Sequence, residues 1–371
     1  MTILMLIITS LLTVVFGIAI FNVLTGPMLG HTFSLVETPL VSILVPARNE
    51  EKNITACLTG LSNQLYKNYE VIVLNDFSED KTGKKIAQFC RNDQRIRMID
   101  GTPLPNGWTG KNWACHQLSQ RANGKILIFT DADNRYSPKA VSNTVGWIQH
   151  LNLGLFSAFP QQTTITLAEK LVIPVIDLFV YAGLPLWLTY LTRYPSLAAA
   201  NGQWIAFTRQ GYEQIGGHKS ISNEVVEDVE FSRLAKRKGV KILTAAGTGV
   251  VFGRMYESSK QVWEGFSKNI FGLVRYKTIP FFILVVGLFS ACILPYLMLP
   301  LLPQLALIAV SINILLRFIL SVKYKHSLTV SVILHPIGVG LTLLIALNSF
   351  LSVKQGIVQW KGRKIDVRAE K

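Results

Sequence analysis

Apolar residues are distributed along this chain in three different ways. At the start, Ile3 to Val23 is an apolar run without a charge. A helix rises about 1.5 Å per residue, so a run of about 20 residues crosses the hydrocarbon core of a bilayer. No basic residue precedes the run and no small-x-small cleavage site follows it, so it predicts a retained anchor over a cleaved signal peptide. Toward the end, Ile279 to Val322 carries Arg317 as its one charged residue, and Pro295, Pro300 and Pro303 interrupt it. That pattern predicts two helices, about 279–300 and 304–322, joined by a tight turn. Arg317 falls near the end of the second, where its stem can reach the interface. Leu328 to Ser352 is a third uncharged run, broken in its middle by His335-Pro336-Ile337-Gly338.

Between these ends the pattern alternates. Val41 to Val45, Val71 to Leu74, Ile96 to Ile99 and Ile126 to Phe129 are short apolar runs rich in β-branched residues, separated by helical stretches such as Lys111 to Ala122. Strands alternating with helices predict a parallel sheet wrapped on both faces, with ligands bound beyond the carboxyl ends of its strands. Asp76, Asp131 and Asp133 follow such strand ends directly. Leu167 to Leu191 is apolar and aromatic but contains Pro174, Asp177 and Pro185. It reads equally as helices lying in a membrane interface or as a buried core segment.

Composition sharpens this picture. Of 371 residues, 50% are hydrophobic and 16% charged, against about 25% charged in an ordinary soluble domain. Mean hydropathy is +0.35. The formal net charge is +15, with Lys and Arg filling 48–278, flanking the last apolar run at Lys323 and Lys325, and recurring from Lys354 to Lys371. The positive-inside rule puts all three regions in the cytoplasm. Three full crossings after a cytoplasmic domain would export the tail, so either 328–352 is a re-entrant hairpin or the rule fails once. The basic balance predicts the anionic inner leaflet as a partner. Nucleic acid is excluded, because no soluble stretch interleaves basic and aromatic residues. Cys57, Cys90, Cys115 and Cys292 lack metal or disulfide spacing and read as reduced thiols.

Asp131-Ala132-Asp133 can turn two carboxylates into one crevice. Mg²⁺ or Mn²⁺ prefers oxygen ligands and shares its site with substrate phosphates, which suits departure of a nucleoside diphosphate. A turn that caps a helix is the alternative. Glu227-Asp228 falls on a helix predicted over 223–238, with Val225, Asp228 and Val229 on one face. An acid there suits a general base, or a solvated helix edge. Gly107-Trp108-Thr109-Gly110-Lys111 opens a helix and suits a diphosphate, although its spacing is not that of a P-loop. Arg254, Gln261, Trp263 and Lys268 form a second basic-aromatic group, readable also as an anionic-lipid anchor.

Together, Val45-Pro46-Ala47-Arg48-Asn49-Glu50, Leu74-Asn75-Asp76-Phe77-Ser78-Glu79-Asp80, Thr130-Asp131-Ala132-Asp133, Gly216-Gly217-His218 and Glu227-Asp228 resemble family 2 inverting glycosyltransferases of the GT-A fold, in order and spacing over roughly residues 40–275. Gly107-Trp108-Thr109-Gly110-Lys111-Asn112-Trp113-Ala114, Arg254-Met255-Tyr256, Trp263-Glu264-Gly265-Phe266-Ser267-Lys268 and Trp360-Lys361-Gly362-Arg363 are similar to a bacterial subgroup, the glycosyltransferases of carotenoid-acid (diaponeurosporenoate) glycosylation and of hopanoid gene clusters.

The resemblance implies an α/β fold, a GT-A (Rossmann-like, mixed-sheet) catalytic domain over 38–275, with 167–191 interfacial. Transmembrane helices would lie at 1–25 and 279–353, before a basic cytoplasmic tail at 354–371. It implies that Pro46, Ala47 and Glu50 line a uridine pocket, Asp76 contacts the base, and Asp131 and Asp133 meet ribose and metal-bound diphosphate. Lys111, Arg254 and Lys268 would hold the diphosphate, Asp228 with Glu227 would supply the base, and Gly217, His218 and Trp263 would face the acceptor. The metal would be Mg²⁺ or Mn²⁺. Two departures stand out. Asn75-Asp76-Phe77 has one acid where the family often has two, and Gln261-Val262-Trp263 only echoes the Gln-x-x-Arg-Trp of processive members. The expectation is therefore transfer of one sugar from a UDP-sugar, UDP-glucose first, to a membrane-soluble acceptor such as a carotenoid acid. A polyprenyl phosphate is the alternative acceptor, and a membrane scaffold with an inactive α/β domain the alternative class.

Overall fold

The computed structural model describes residues 1–356 and, beyond them, the backbone of Gln359–Trp360 and Arg363–Lys364. The rest of the basic tail, with the side chains of Trp360-Lys361-Gly362-Arg363, lies outside the described residues. The chain runs α1 (Thr2–Thr25), β1 (Val41–Ala47), α2 (Ile54–Ser62), β2 (Tyr69–Asn75), α3 (Thr82–Asn92), β3 (Ile96–Asp100), α4 (Gly110–Arg121), β4 (Ile126–Thr130), β5 (Arg135–Tyr136) and α5 (Ala140–Leu151). It continues through β6 (Leu155–Phe159), β7 (Gln161–Gln162), α6 (Leu167–Tyr181), α7 (Leu188–Leu191), β8 (Trp204–Thr208), α8 (Arg209–Ile215), α9 (Glu227–Arg237), β9 (Ile242–Ala246) and β10 (Val251–Gly253). Helices α10 (Ser259–Leu273), α11 (Thr278–Cys292), α12 (Leu294–Leu297), α13 (Pro303–Tyr324), α14 (Leu328–Ile333) and α15 (His335–Lys354) follow, then the strand pair β11 (Gln359–Trp360) and β12 (Arg363–Lys364).

Two compact units result, and neither is contiguous in sequence: residues 26–163 with 186–255, and residues 1–25 with 164–185 and 256–371. This differs from the sequence blocks expected above. Residues 164–185 and 256–275 belong with the helical unit, not with the α/β unit.

The α/β unit is organised by a seven-stranded sheet in the order β3-β2-β1-β4-β8-β6-β9. β3, β2, β1 and β4 are parallel neighbours, and β8 runs antiparallel to both β4 and β6. The sheet is thus mixed, which the apolar runs alone did not reveal. Strand β1 shows why the apolar runs lack alternation. Side chains of a strand point to opposite faces in turn, and both faces here are covered. Ile43 and Val45 pack with Ile54, Leu58, Val141 and Val145 of α2 and α5. Leu44, between them, packs with Leu118, Ile215 and Phe231 of α4, α8 and α9. The chain leaves β1 for β2 and β3, then returns to lay β4 on the other side of β1. That reversal opens a crevice at the carboxyl ends of β1 and β4.

In the helical unit, Thr2–Thr25, Pro303–Tyr324 and His335–Lys354 are long and apolar enough to cross a membrane. Helices α10 and α11 would qualify as a pair but bend by 118° between them. Met5, Ile8 and Leu12 of α1 meet Ala306 and Ala309 of α13, whose small side chains let the two backbones approach. Helix α6 starts on a capping box, where Thr166 and the buried Glu169 satisfy each other's end of the first turn.

Four expectations are corrected here. The helix predicted over 279–300 stops at Cys292, and Pro295 instead opens the short α12, where its missing N–H costs no bond. The helix predicted from 223 begins at Glu227. Leu167 to Leu191 is not one segment, because α6 and α7 belong to different units. Arg317 does not reach an interface: it is 0% exposed.

Candidate active site

Six acids of the α/β unit, Glu50, Asp76, Asp131, Asp133, Glu227 and Asp228, follow or face the crevice at the carboxyl ends of β1, β2 and β4. Asp76 closes β2, is 7% exposed, and takes the Arg48 guanidinium at 3.6 Å. Its backbone N–H donates to the Ala47 carbonyl at the end of β1, which locks the two strand ends together. Glu50, just past β1, accepts from Asn53 Nδ2 at 3.1 Å, and its backbone N–H donates to Thr82 Oγ1. Asp131 and Asp133 follow β4 on a turn anchored from below. Tyr136 donates to the Asp131 carbonyl at 3.2 Å, while Thr130, Asn134 and Gln203 form a buried polar net beneath it.

Lys111 ties the crevice together. It sits in the first turn of α4, whose cap Thr109 accepts the N–H of Asn112. Asn112 in turn donates to the carbonyls of Ile221 and Glu224, which fixes α4 against the segment leading into α9. From there the ammonium reaches Asp131 Oδ1 at 2.9 Å and Glu227 Oε1 at 2.8 Å. Burial pulls the Lys111 ammonium down, but Asp131 and Glu227 more than offset it and hold it well above its usual value.

Asp228 is fixed by the backbone. Gly202 N–H donates to Oδ2 and Val229 N–H to Oδ1, both at 2.8 Å. Burial, and then the neighbouring Glu227, push its carboxyl up to about 7, against partial relief from Lys111 and these two N–H groups. A carboxyl poised near neutrality suits proton transfer. Because α9 starts at Glu227, both acids lie in its first turn, where the helix dipole favours negative charge.

Asp133 is pushed up to about 7 as well, by burial and then by Asp131 and Glu50. Its Oδ1 is buried and has no hydrogen-bond partner. A buried carboxylate oxygen without a protein partner, beside two further acids, is a donor set that suits a divalent cation. Among the described residues no three His, Cys, Asp or Glu side chains form a metal cage. A Mg²⁺-type ion does not need one, since it binds through one or two carboxylates plus substrate phosphates and water.

The structure therefore brings Lys111, Asp131, Glu227 and Asp228 together, with Asp133 and Glu50 coupled electrostatically to the same acids. Pro46 and Ala47 lie at the end of β1, above the switch point. His218 is not open: it is 3% exposed, bonded to Tyr212 through Nδ1, and enclosed by Phe129 and Phe231. Gly217 faces the Tyr212 ring. Arg254 lies just beyond β10 in this unit, whereas Trp263 and Lys268 lie on α10 in the helical unit. Sequence reasoning missed Gly202. A Cβ there would stand 3.0 Å from Glu227 Oε1 and 3.2 Å from Lys111 Nζ, so a larger residue would require both side chains to give by a few tenths of an ångström. Its signal was an Asn-Gly pair before β8, which reads as an ordinary turn.

Comparison with known proteins bears on this arrangement. Residues 42–167 match the profile described as glycosyl transferase family 2. A 4,4'-diaponeurosporenoate glycosyltransferase of Staphylococcus haemolyticus (strain JCSC1435) is 28% identical over 246 residues, covering 63% of this chain and 61% of that protein. Its counterpart from Staphylococcus aureus (strain USA300) is 28% identical over 233 residues, covering 62% and 60%. The chain thus spans about three fifths of the length of these relatives. Among solved structures, the mannosyltransferase PcManGT from Pyrobaculum calidifontis, in complex with GDP-Man and Mn²⁺, aligns with a TM-score of 0.55 at 18% identity, over 94% of this chain and 99% of that one. At 18% identity that likeness concerns the fold alone.

Proposed function

We propose that this chain, whose residues 42–167 carry a family 2 glycosyltransferase domain, moves one sugar from a UDP-sugar to a lipid-like acceptor. UDP-glucose is the donor we favour, and a carotenoid acid or another isoprenoid the acceptor. The names of the Staphylococcus relatives support the acceptor class. The observation that carries the reading is the meeting of Lys111, Asp131 and Glu227 within 3 Å contacts, beside an Asp228 held on two backbone N–H groups.

The chemistry follows from these groups. Asp228 takes the proton of the acceptor O–H as that oxygen bonds to the anomeric carbon. The bond from that carbon to the diphosphate breaks, and its electron pair leaves with UDP. A lipid carboxylic acid at an apolar surface keeps its proton to higher pH than in water, so acid and alcohol acceptors both deliver one. One displacement at one face inverts the anomeric centre. Lys111 exchanges its carboxylate partners for diphosphate oxygens, and Pro46, Ala47 and Asp76 hold the uridine. Asp131 and Asp133 would hold Mg²⁺ or Mn²⁺, which when bound neutralises charge on the departing diphosphate. We place the α/β unit on the cytoplasmic side, from the basic residues that fill 48–278.

The test is mass spectrometry of products from the purified full chain with UDP-glucose, Mn²⁺ and either an isoprenoid carboxylic acid or a polyprenyl phosphate. A gain of one hexose on the isoprenoid acid supports the reading. Transfer confined to the polyprenyl phosphate moves the acceptor class. Absence of donor turnover with every acceptor contradicts the enzyme itself.

A further inference from the structure

Arg317 is a charge in the wrong place for a structural residue. It lies on α13, a helix long and apolar enough to span a membrane, and is 0% exposed. Its Nη1 donates to the Pro174 carbonyl of α6 at 2.9 Å and its Nε to the Ser331 carbonyl of α14 at 3.3 Å. Its Nη2 has no partner. It forms no direct ion pair among the described residues: Asp177, one turn beyond Pro174, acts on the guanidinium electrostatically but makes its contact with His326, at 2.9 Å. Two carbonyls satisfy some of the five guanidinium N–H groups, but they do not neutralise the charge. A buried charge is tolerated when it is paired, and an intramembrane one marks a functional site.

The side chains around it repeat the pattern. Ser321 Oγ, one turn on from Arg317, is buried without a partner, and so are Ser331 Oγ and His335 Nε2 on the two helices that follow. Each can donate a hydrogen bond. Nearby, Leu328, Ile333 and Ile337 expose apolar surface on the same pair of helices. One cation, several idle donors and a greasy flank suit an amphiphile whose head carries negative oxygens.

We propose that Arg317, with Ser331 and His335, binds the carboxylate or phosphate head of an anionic lipid inside the helical unit. The proposal does not depend on the sugar chemistry. Asp177 supplies part of a counter-charge but is itself engaged by His326, and water can satisfy idle donors without adding any charge.

The test uses the full chain in phosphatidylcholine nanodiscs, titrated with palmitate, phosphatidylglycerol, methyl palmitate or inorganic phosphate and read by native mass spectrometry. The expected result is one saturable site for palmitate or phosphatidylglycerol, with methyl palmitate weaker by about tenfold or more, as loss of a charge-assisted bond implies. Palmitate alone identifies a carboxylate amphiphile, phosphatidylglycerol alone a phospholipid head. R317Q should lose the selectivity and R317K should keep most of it, with the thermal unfolding transition of the helical unit in detergent, which holds Arg317, as the control for folding. The wild-type comparison of palmitate with methyl palmitate needs no variant. Equal binding of the two, binding only of inorganic phosphate, retention in a folded R317Q, or no saturable lipid at all would overturn the proposal.

Discussion

Among single residues, the Asp228 carboxyl is the proposed proton acceptor. Its folded value of about 7 lies above the ordinary 3.8, so the folded protein holds a proton there that the unfolded chain releases. That group therefore favours folding below pH 3.8, and its contribution is lost as pH rises toward 7. Under the proposed mechanism catalysis has the opposite sign, because Asp228 acts as base only when ionised. The transfer rate should rise with pH and level off above an apparent pKa near 7, measurable in a pH–rate profile at saturating donor. Gly202→Ala offers a second check. The new methyl would press on Glu227 and Lys111 at 3.0 and 3.2 Å. The two side-chain ends would have to give by a few tenths of an ångström. Transfer should therefore fall, by less than the about 100-fold that a misplacement of about 1 Å can cost, while the melting temperature barely moves. Asp76, Asp131 and Asp133 were legible in the sequence because a strand end is a defined place, and apolar strands announce where they end. Gly202 was not, since its partners Lys111 and Glu227 come from distant parts of the chain. His218 misled in the other direction: its motif was visible, but a short string does not say that Phe129, Tyr212 and Phe231 close over the ring.

At the scale of elements, proline and small residues decide most outcomes. Apolar runs announced α1, α13 and α15, but not where prolines would cut them. Pro295 ended one predicted helix early, whereas Pro174 stayed inside α6. Interior proline removes one backbone bond and kinks a helix, yet a tightly packed helix can absorb it. Gly338 of α15 illustrates close packing, because a Cβ there would stand 2.5 Å from the Leu171 carbonyl of α6. Gly338→Ala should therefore force these helices apart and destabilise the helical unit, by about 1–3 kcal/mol as overpacking typically does. Thermal unfolding in detergent would show it as a lowered transition, with UDP affinity unchanged. The four parallel strands β1 to β4 were readable from their β-branched runs. The antiparallel β8 was not, because strand direction depends on the path of the connecting chain rather than on local pattern.

For the whole molecule, Lys111 and the clustered acids lie in one unit and the helices long and apolar enough to span a membrane in the other, each unit assembled from separate stretches of sequence. Contiguous blocks were the natural reading of hydropathy, and they failed at 164–185 and 256–275 because hydropathy does not report which helices pack together. Metal dependence belongs to this scale. Chelation should abolish transfer, and Mn²⁺ or Mg²⁺ should restore it. Asp133→Ala should weaken Mn²⁺ binding in the presence of UDP, read by electron paramagnetic resonance, because the acid with the idle buried oxygen is gone. The most direct measurement compares the wild-type chain with Asp228→Asn for sugar transfer and UDP affinity in the same preparation. The account predicts that transfer drops by about 100-fold or more while UDP still binds as tightly. An Asp228→Asn protein that transfers sugar at the wild-type rate would contradict it.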